Sequence, residues 1–210
     1  MIVLDIETSG LDKVKCGIWQ IGALDFYAPQ NTFLEEARID KEDTVIEDAL
    51  KVTGKTIEEL MDRNKQSQKQ LLENFFSWCR KTKVKNCLCQ NPQFDTTFLE
   101  IKARKYSLEI PFHYRAFDLH SIASVRYYQL NNKFLIKENR SDIGLFNILK
   151  LCNIPDERIQ VKKGKVIKQG KPHSALEDAE LTAECFSRLV YGKSLLSKYK
   201  QFQIPKELVR

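Results

Sequence analysis

The stretch Ile2-Val3-Leu4-Asp5-Ile6-Glu7 opens the chain and decides its fold class. Apolar residues run almost unbroken through it, which predicts a central β-strand covered on both faces. Because side chains alternate along a strand, Asp5 and Glu7 lie on one face. A carboxylate under such cover loses its hydration, and no basic residue lies nearby in the sequence. The two acids are suited to bind a hard cation through oxygen, although a strand end that runs into solvent would also carry acids.

The segments after this strand predict a mixed sheet. Residues 18–27 and 31–39 read as two further strands with short connections, which favours an antiparallel meander. Helical patterns cover residues 45–52, 56–59, 68–81, 94–101, 119–128, 143–151 and 175–190, and strand patterns cover residues 84–90 and 112–117. Residues 155–171 turn polar and basic and indicate a mobile loop or a hairpin. We therefore expect one α/β domain over residues 1–192, with the tail 193–210 docked on it.

The composition places the chain among soluble proteins. Its 210 residues carry 34 Lys and Arg against 28 Asp and Glu, a formal net charge of +6. This excess suits a polyanionic partner, although many proteins without one carry as much. No apolar run approaches the roughly 20 residues of a membrane-spanning helix, and acids stand where a signal peptide would be basic and then apolar. We expect a cytoplasmic protein with no membrane partner.

The six cysteines follow no metal-ligand spacing. Cys87 and Cys89 stand two residues apart in an apolar run and should point to one face of a strand. We expect all six to be buried free thiols in a reducing compartment, with a zinc site as the alternative.

Two further aspartates stand one turn inside a helix start. Asn91 as N-cap with Pro92 at the first helical position puts Asp95 at the fourth position. The capping-box pattern that begins at Ser174 gives Asp178 the same position. Ionised carboxylates are favoured there by the helix dipole, so ordinary dipole complementation also explains them. His173 lies just outside the second helix and is free to lean over the same site, or it is a solvated loop histidine.

Three segments together resemble the motifs of a known family. Asp5-Ile6-Glu7-Thr8-Ser9-Gly10, Gln90-Asn91-Pro92-Gln93-Phe94-Asp95 and His173-Ser174-Ala175-Leu176-Glu177-Asp178-Ala179 resemble the three motifs of the DnaQ-like (DEDDh) 3′→5′ exonucleases. The resemblance implies a ribonuclease-H-like fold and stepwise release of nucleoside monophosphates from a 3′ end. By motif position, the metal-binding acids are Asp5, Glu7, Asp95 and Asp178. His173 then corresponds to the general base, and the cofactor is a pair of Mg²⁺ or Mn²⁺ ions.

The chain departs from the family pattern at three places. Gln20 stands where many members have Glu, Gln90 stands where a His often precedes the Asn, and Lys171 stands where an Arg is frequent. None of these positions is a metal ligand, so the departures concern substrate contacts more than chemistry.

The candidate substrate-binding residues surround the motifs and are Thr8, Gly10, Leu11, Asn91 and Lys171. By resemblance, the turn after Glu7 meets the terminal nucleotide, where Leu11 either wedges against its base or packs under the turn. Phe94 is expected in the core. The lysines at positions 162, 163, 165, 168 and 171 form either a solvated hairpin or a phosphate track.

The predicted function is a metal-dependent 3′→5′ exonuclease on single-stranded DNA or RNA ends. Proofreading beside a DNA polymerase subunit is one setting for such an enzyme. The alternatives are a non-catalytic nucleic-acid-binding module, which predicts loss of one of the five motif residues, and a ribonuclease-H-like endonuclease, which should cut circular strands.

Overall fold

The computed structural model, which describes residues 1–162 and 165–209, alternates strands and helices along the chain. The strands are β1 Ile2–Thr8, β2 Ile18–Asp25, β3 Ala28–Glu36, β4 Asn86–Cys89, β5 His113–Asp118, β6 Ile136–Lys137, β7 Arg140–Ser141, β8 Gln160–Lys162 and β9 Lys165–Lys168. The helices are α1 Glu47–Thr53, α2 Ile57–Leu60, α3 Gln68–Lys81, α4 Pro92–Lys105, α5 Leu119–Asn131, α6 Leu145–Leu151 and α7 Ala175–Tyr191. Single turns of 3₁₀ helix follow at Ser197–Tyr199 and Lys206–Leu208.

Five strands form one mixed sheet in the order β3-β2-β1-β4-β5. Strand β2 pairs antiparallel with both β1 and β3, while β4 pairs parallel with both β1 and β5. The predicted α/β class, with an antiparallel meander of three strands plus parallel strands, is confirmed. The first strand lies in the middle of this sheet, so its side chains are covered from both sides.

Each face of the sheet carries its own apolar core. Ile2 and Leu4 on β1 belong to a buried cluster with residues of α3 and α4. Val3, on the opposite face, belongs to a second cluster with residues of α5, α6 and α7. The alternation along β1 therefore turns Asp5 and Glu7 toward the face that α7 covers.

Several local signals in the sequence act as predicted. Helix α3 spans Gln68–Lys81, the range that its apolar periodicity predicts. Gly54 ends α1 in the left-handed conformation with a φ of 67°, and Thr56 forms the complete capping box of α2. The apolar period and the cap chemistry are local properties, so no distant partner is needed to read them.

One predicted helix start is wrong, and two predicted N-caps are right in position but not in hydrogen bonding. Helix α6 begins at Leu145 after Gly144, because Arg140–Ser141 pairs with Ile136–Lys137 in a short hairpin that the sequence analysis missed. Asn91 and Ser174 do occupy N-cap positions, but neither side chain makes a capping hydrogen bond.

The basic segment, the cysteines and the tail complete the fold. Strands β8 and β9 pair, so the basic segment is a hairpin rather than a loop, and Lys163 lies outside the described residues. All six cysteines are buried free thiols, as predicted. In the tail, Tyr199 and Leu208 are buried against the α7 side of the sheet. No helix in the described part of the chain is long and apolar enough to cross a membrane.

Candidate active site

Four carboxylates converge at one end of the central strand. Asp5 and Glu7 come from β1, Asp95 from the first turn of α4 and Asp178 from the first turn of α7. Glu7, Asp95 and Asp178 are each less than a tenth exposed. Ligand atoms of Glu7, His173 and Asp178 all lie within 4.8 Å of one another.

The start of α7 is held against β2 directly opposite these acids. Gly22 pairs with Asp5 in the sheet, and a Cβ atom at Gly22 would lie 2.0 Å from the backbone nitrogen of Leu176. Only glycine permits this close approach. Gln20, which pairs with Glu7, accepts a hydrogen bond at Oε1 from the Ala175 backbone N–H at 2.8 Å. Gln20 therefore supplies the cap that Ser174 does not, and this fixes the place of Asp178.

Burial of the acids raises their pKa values. Desolvation is the largest cause for each, and the charges of neighbouring carboxylates add to it for Asp5 and Glu7. The pKa of Asp5 lies well above its usual range, that of Glu7 rises to about 8 and that of Asp95 to about 7. Carboxylates kept out of water beside one another disfavour their own charged forms. Cations at this site would reverse that effect.

Asp178 is contacted by two positively polarised groups of the chain itself. Its Oδ1 accepts a hydrogen bond from Arg158 Nη1 at 2.9 Å, and its Oδ2 lies 3.1 Å from His173 Nδ1. Burial lowers the pKa of His173, but the hydrogen bond and charge of Asp178 outweigh it, so the pKa is raised. Both oxygens of Asp178 thus face a donor.

The other nitrogen of His173 is fixed by the backbone. His173 Nε2 lies 2.9 Å from the carbonyl oxygen of Ile159, which can only accept a hydrogen bond. Nε2 therefore carries a proton. Nδ1 donates to Asp178 when the ring is charged, and it is able to accept a proton only in the neutral ring.

Arg158 is a site residue that the sequence analysis missed. It is 6% exposed, and its guanidinium also bonds both oxygens of Asp156 at 2.9 Å. In the sequence it stands at the edge of a basic segment that resembles a solvated hairpin. No local pattern indicates that its side chain turns inward.

An apolar cleft of about 380 Å³ opens beside the acids. Glu7, Thr8, Gly10, Leu11 and Phe94 line it together with residues of α1 and Val161. The side chain of Leu11 is 80% exposed, so it does not pack under the turn. The Thr8 hydroxyl donates to the Gly10 carbonyl at 2.8 Å and holds that turn. Phe94 is half-buried: it packs on the core and also faces the cleft.

The other candidate substrate residues lie outside this cleft. Asn91 lines a polar cleft of about 570 Å³ on the far side of the α4 start, together with His120 and Ser141. Lys171 is exposed, pairs with Glu157 and borders a third cleft, which Arg158 also lines. Lys165 and Lys168 are exposed as well, whereas Lys163 and the side chain of Lys162 lie outside the described part.

The donor set fits divalent cations of the Mg²⁺ or Mn²⁺ class. Four carboxylates offer hard oxygen ligands, which those ions prefer. No cysteine belongs to a potential metal-ligand group among the described residues, so the zinc alternative gains no support there. Glu7 and Asp178 belong to a potential metal-ligand group together with His173, and the assignment of Asp5, Glu7, Asp95 and Asp178 as the full ligand set stays a prediction.

Comparison with known proteins identifies a family for the chain. A family model described as RNase_T, Exonuclease, matches residues 2–144, a segment that includes Asp5, Glu7 and Asp95. No curated protein sequence matches the chain.

Solved structures of nucleases share the fold. The nuclease domain of 3′hExo, a DEDDh family member bound to rAMP, has a TM-score of 0.64 and 17% identity over 98% of this chain and 95% of that one. CRN-4, a cell-death related nuclease, has a TM-score of 0.65 and 15% identity over 92% and 64%. Exonuclease I of E. coli with a dA16 oligonucleotide has a TM-score of 0.63 and 18% identity over 91% and 40%.

The chain thus spans less than two thirds of CRN-4 and of exonuclease I. At these identities the similarity concerns the fold, and the family model adds the kind of enzyme. The chain belongs to the RNase_T exonuclease family, and its fold is shared with solved nuclease structures that include a DEDDh family member.

Proposed function

We propose that the chain is a metal-dependent 3′→5′ exonuclease that releases nucleoside monophosphates from single-stranded DNA or RNA. The observation that carries this proposal is the convergence of four carboxylates, three of them buried and Asp5 partly buried, from three separate elements beside a small apolar cleft. Five motif residues are all present, which does not favour a non-catalytic module.

The apolar cleft suits the terminal nucleotide. Its volume of about 380 Å³ lies in the range of small-molecule pockets. Leu11 and Phe94 offer apolar surface on which any base can stack without being read. Glu7 borders both this cleft and the acids, so a phosphate attached to a nucleoside in the cleft would reach the acids.

The polar cleft on the other side of the α4 start suits the strand that leads away from the end. Asn91, Gln93, His120 and Ser141 offer hydrogen-bonding groups there. Among the structural relatives, 3′hExo is described with rAMP and exonuclease I with dA16, a mononucleotide and a single strand. The proposed arrangement therefore puts the terminal nucleotide in the apolar cleft and the nucleotides before it in the polar cleft.

The proposed chemistry is hydrolysis of the last phosphodiester bond. A water oxygen attacks phosphorus, the bond to the 3′ oxygen of the preceding nucleotide breaks, and a nucleoside 5′-monophosphate and a new 3′ hydroxyl result. Two divalent ions, when bound, stabilise the charge that develops on the attacking and leaving oxygens. His173 Nδ1 accepts the proton of the attacking water, while the Ile159 carbonyl holds Nε2–H and so fixes the tautomer.

We further propose a cytoplasmic setting, where reducing conditions keep the six buried cysteines as thiols. Proofreading beside a DNA polymerase is one task for such an enzyme, since it requires removal of single nucleotides from a 3′ end.

A time course with 5′-labelled linear oligonucleotides tests the proposal. We expect linear DNA or RNA to shorten by single nucleotides with Mg²⁺ or Mn²⁺, to stay intact with EDTA, and circular strands to resist. Asp95→Asn should lose this activity, whereas Glu100→Gln on the same helix should keep it. Cleavage of circular strands would favour the endonuclease alternative, and metal-independent activity would overturn the proposed chemistry.

A further inference from the structure

The base of the β8–β9 hairpin inserts a fixed cation among the acids. Arg158 donates from Nη1 to Asp178 Oδ1 at 2.9 Å, while Nε and Nη2 bond the two oxygens of Asp156, also at 2.9 Å. One guanidinium charge thus lies between two carboxylates, and the side chain is 6% exposed. This is an ion pair out of water, where screening is weak.

The backbone around Arg158 is built to hold that side chain in place. The Arg158 N–H donates to Asp156 Oδ1 at 3.0 Å. The backbone N–H of Lys171 donates to the Glu157 carbonyl at 2.8 Å, and the backbone N–H of Ile159 donates to the Lys171 carbonyl at 2.8 Å. A Cβ atom at Gly170 would lie 2.3 Å from the Glu157 carbonyl oxygen, so glycine lets the two arms of the hairpin base close. The fork on Asp156 pre-organises the guanidinium toward Asp178.

We propose that Arg158 is an internal counter-cation that antagonises divalent-ion binding at Asp178. Its positive charge partly neutralises the acid cluster, and this weakens the affinity of that cluster for a metal ion. This inference rests on the proposed function, because it takes Asp178 as one of the ligands.

The antagonism follows from the charges. A divalent ion on Asp178 would share the carboxylate with Arg158, and two cations on one buried carboxylate repel each other. The repulsion lowers metal affinity, and by reciprocity the metal loosens the Arg158–Asp178 pair. Coupling between two such sites is typically about 5- to 150-fold. The nearby acids Asp5, Glu7 and Asp95 attract both cations and do not remove the competition.

Metal titration of the full chain by calorimetry with Mn²⁺ tests the proposal. For Arg158→Gln we expect a Kd about tenfold tighter than for the unmodified chain. Arg158→Lys keeps the charge, so the repulsion remains and the Kd should stay within about threefold of the unmodified value. The tenfold change expected for Arg158→Gln corresponds to about 1.4 kcal/mol of lost repulsion. Lys165→Gln removes a charge from an exposed position of the same hairpin and should leave the Kd unchanged.

The difference in melting temperature between saturating Mn²⁺ and EDTA gives a second readout, because a purely structural role of Arg158 would change both melting temperatures equally. Arg158→Gln should lower the melting temperature in EDTA and widen the gap between EDTA and saturating Mn²⁺, because the metal then replaces a missing charge. An equal fall in both conditions with an unchanged or weaker Kd would overturn the inference.

The unmodified chain also provides a test that needs no stable Arg158→Gln variant. The Nε–H resonance of Arg158, identified by its absence in Arg158→Lys, should shift as Mg²⁺ is added. A resonance unmoved at saturating Mg²⁺ would contradict the antagonism. Failure of the unmodified chain to bind either metal would instead contradict the proposed function.

Discussion

The two ends of helix α7 handle buried charge in opposite ways. Toward its C-terminal end, Glu184 and Arg188 are completely buried and form an ion pair at 2.7 Å. The remaining oxygen of Glu184 accepts the backbone N–H groups of Leu195 and Leu196, and Arg188 donates to the Tyr199 carbonyl at 2.8 Å. Every charge there has a partner, and the pair ties the tail to the helix.

At the N-terminal end of the same helix, acids outnumber cations. Asp178 has Arg158 and His173, but Asp5 and Asp95 have no ion-pair partner among the described residues, and their pKa values are raised. A buried acid with every bond satisfied stabilises the fold, whereas a cluster of unpaired acids strains it. The comparison teaches that unpaired acids, rather than burial alone, distinguish the end of α7 that carries the proposed active site.

The largest expected effect comes from neutralising an acid in the strained cluster. Asp5→Asn should lower exonuclease turnover at least about a thousandfold, because the site loses a charge on which hydrolysis depends. The same change should raise the melting temperature in EDTA, because one source of repulsion disappears. Turnover on a labelled oligonucleotide and thermal melting are measured on the same preparation.

The Asp5 test separates function from folding. A variant that loses activity and also melts at a lower temperature in EDTA would contradict the view that the cluster strains the fold. Retained activity would remove Asp5 from the catalytic group.

The opposite result is expected at the satisfied end of the helix. Glu184→Gln leaves Arg188 buried without its counter-charge and should destabilise the chain by about 3–5 kcal/mol. For a chain of this size that corresponds to a fall of about 10 °C in melting temperature. Turnover per folded molecule, measured well below the melting transition, should stay close to that of the unmodified chain. A specific loss of turnover would place Glu184 in the chemistry and break the comparison.

The pH dependence of stability tests the strain directly. Raised pKa values mean that the folded chain binds more protons than the unfolded one, so the free energy of unfolding falls as pH rises. The fall begins near the ordinary carboxyl pKa values of about 4. It ends near the Glu7 pKa of about 8.

We expect the melting temperature in EDTA to drop by about 5 °C between pH 5 and pH 8, on the usual scale of 2–4 °C per kcal/mol for chains of this size. Glu7→Gln should flatten part of this slope, and millimolar Mg²⁺ should oppose it, because the metal binds the deprotonated acids. A melting temperature that rises with pH in EDTA would show that the acids are not strained.

The sequence predicts the strands and helices around this site, because these elements depend on local patterns. The unbroken apolar run around Asp5, the periodicity of α3 and the capping box at Thr56 are each read within a few residues. The resemblance to the exonuclease motifs then names the acids that the structure brings together. Local period and motif spacing suffice for both.

The sequence does not predict the contacts that hold the site in its geometry. The cap of α7 comes from Gln20, 155 residues before Ala175, and the close approach at Gly22 is equally distant. Arg158 stands beside a basic segment in which Lys165 and Lys168 are exposed, so the charges around it do not indicate that its own side chain turns inward to Asp178. Such contacts arise only when separate elements meet, and no single window of sequence contains both partners.

The smallest expected effect concerns a second ion pair of helix α7, which lies at the surface rather than in the core. Lys198 pairs with Glu180 of α7, yet its side chain is 48% exposed. Water solvates both charges there, so the pair contributes about 0–1 kcal/mol. Lys198→Gln should therefore shift the melting temperature by less than about 3 °C and leave turnover unchanged. A shift as large as that of Glu184→Gln would mean that pairing alone, without burial, decides how strongly charges on this helix stabilise the fold.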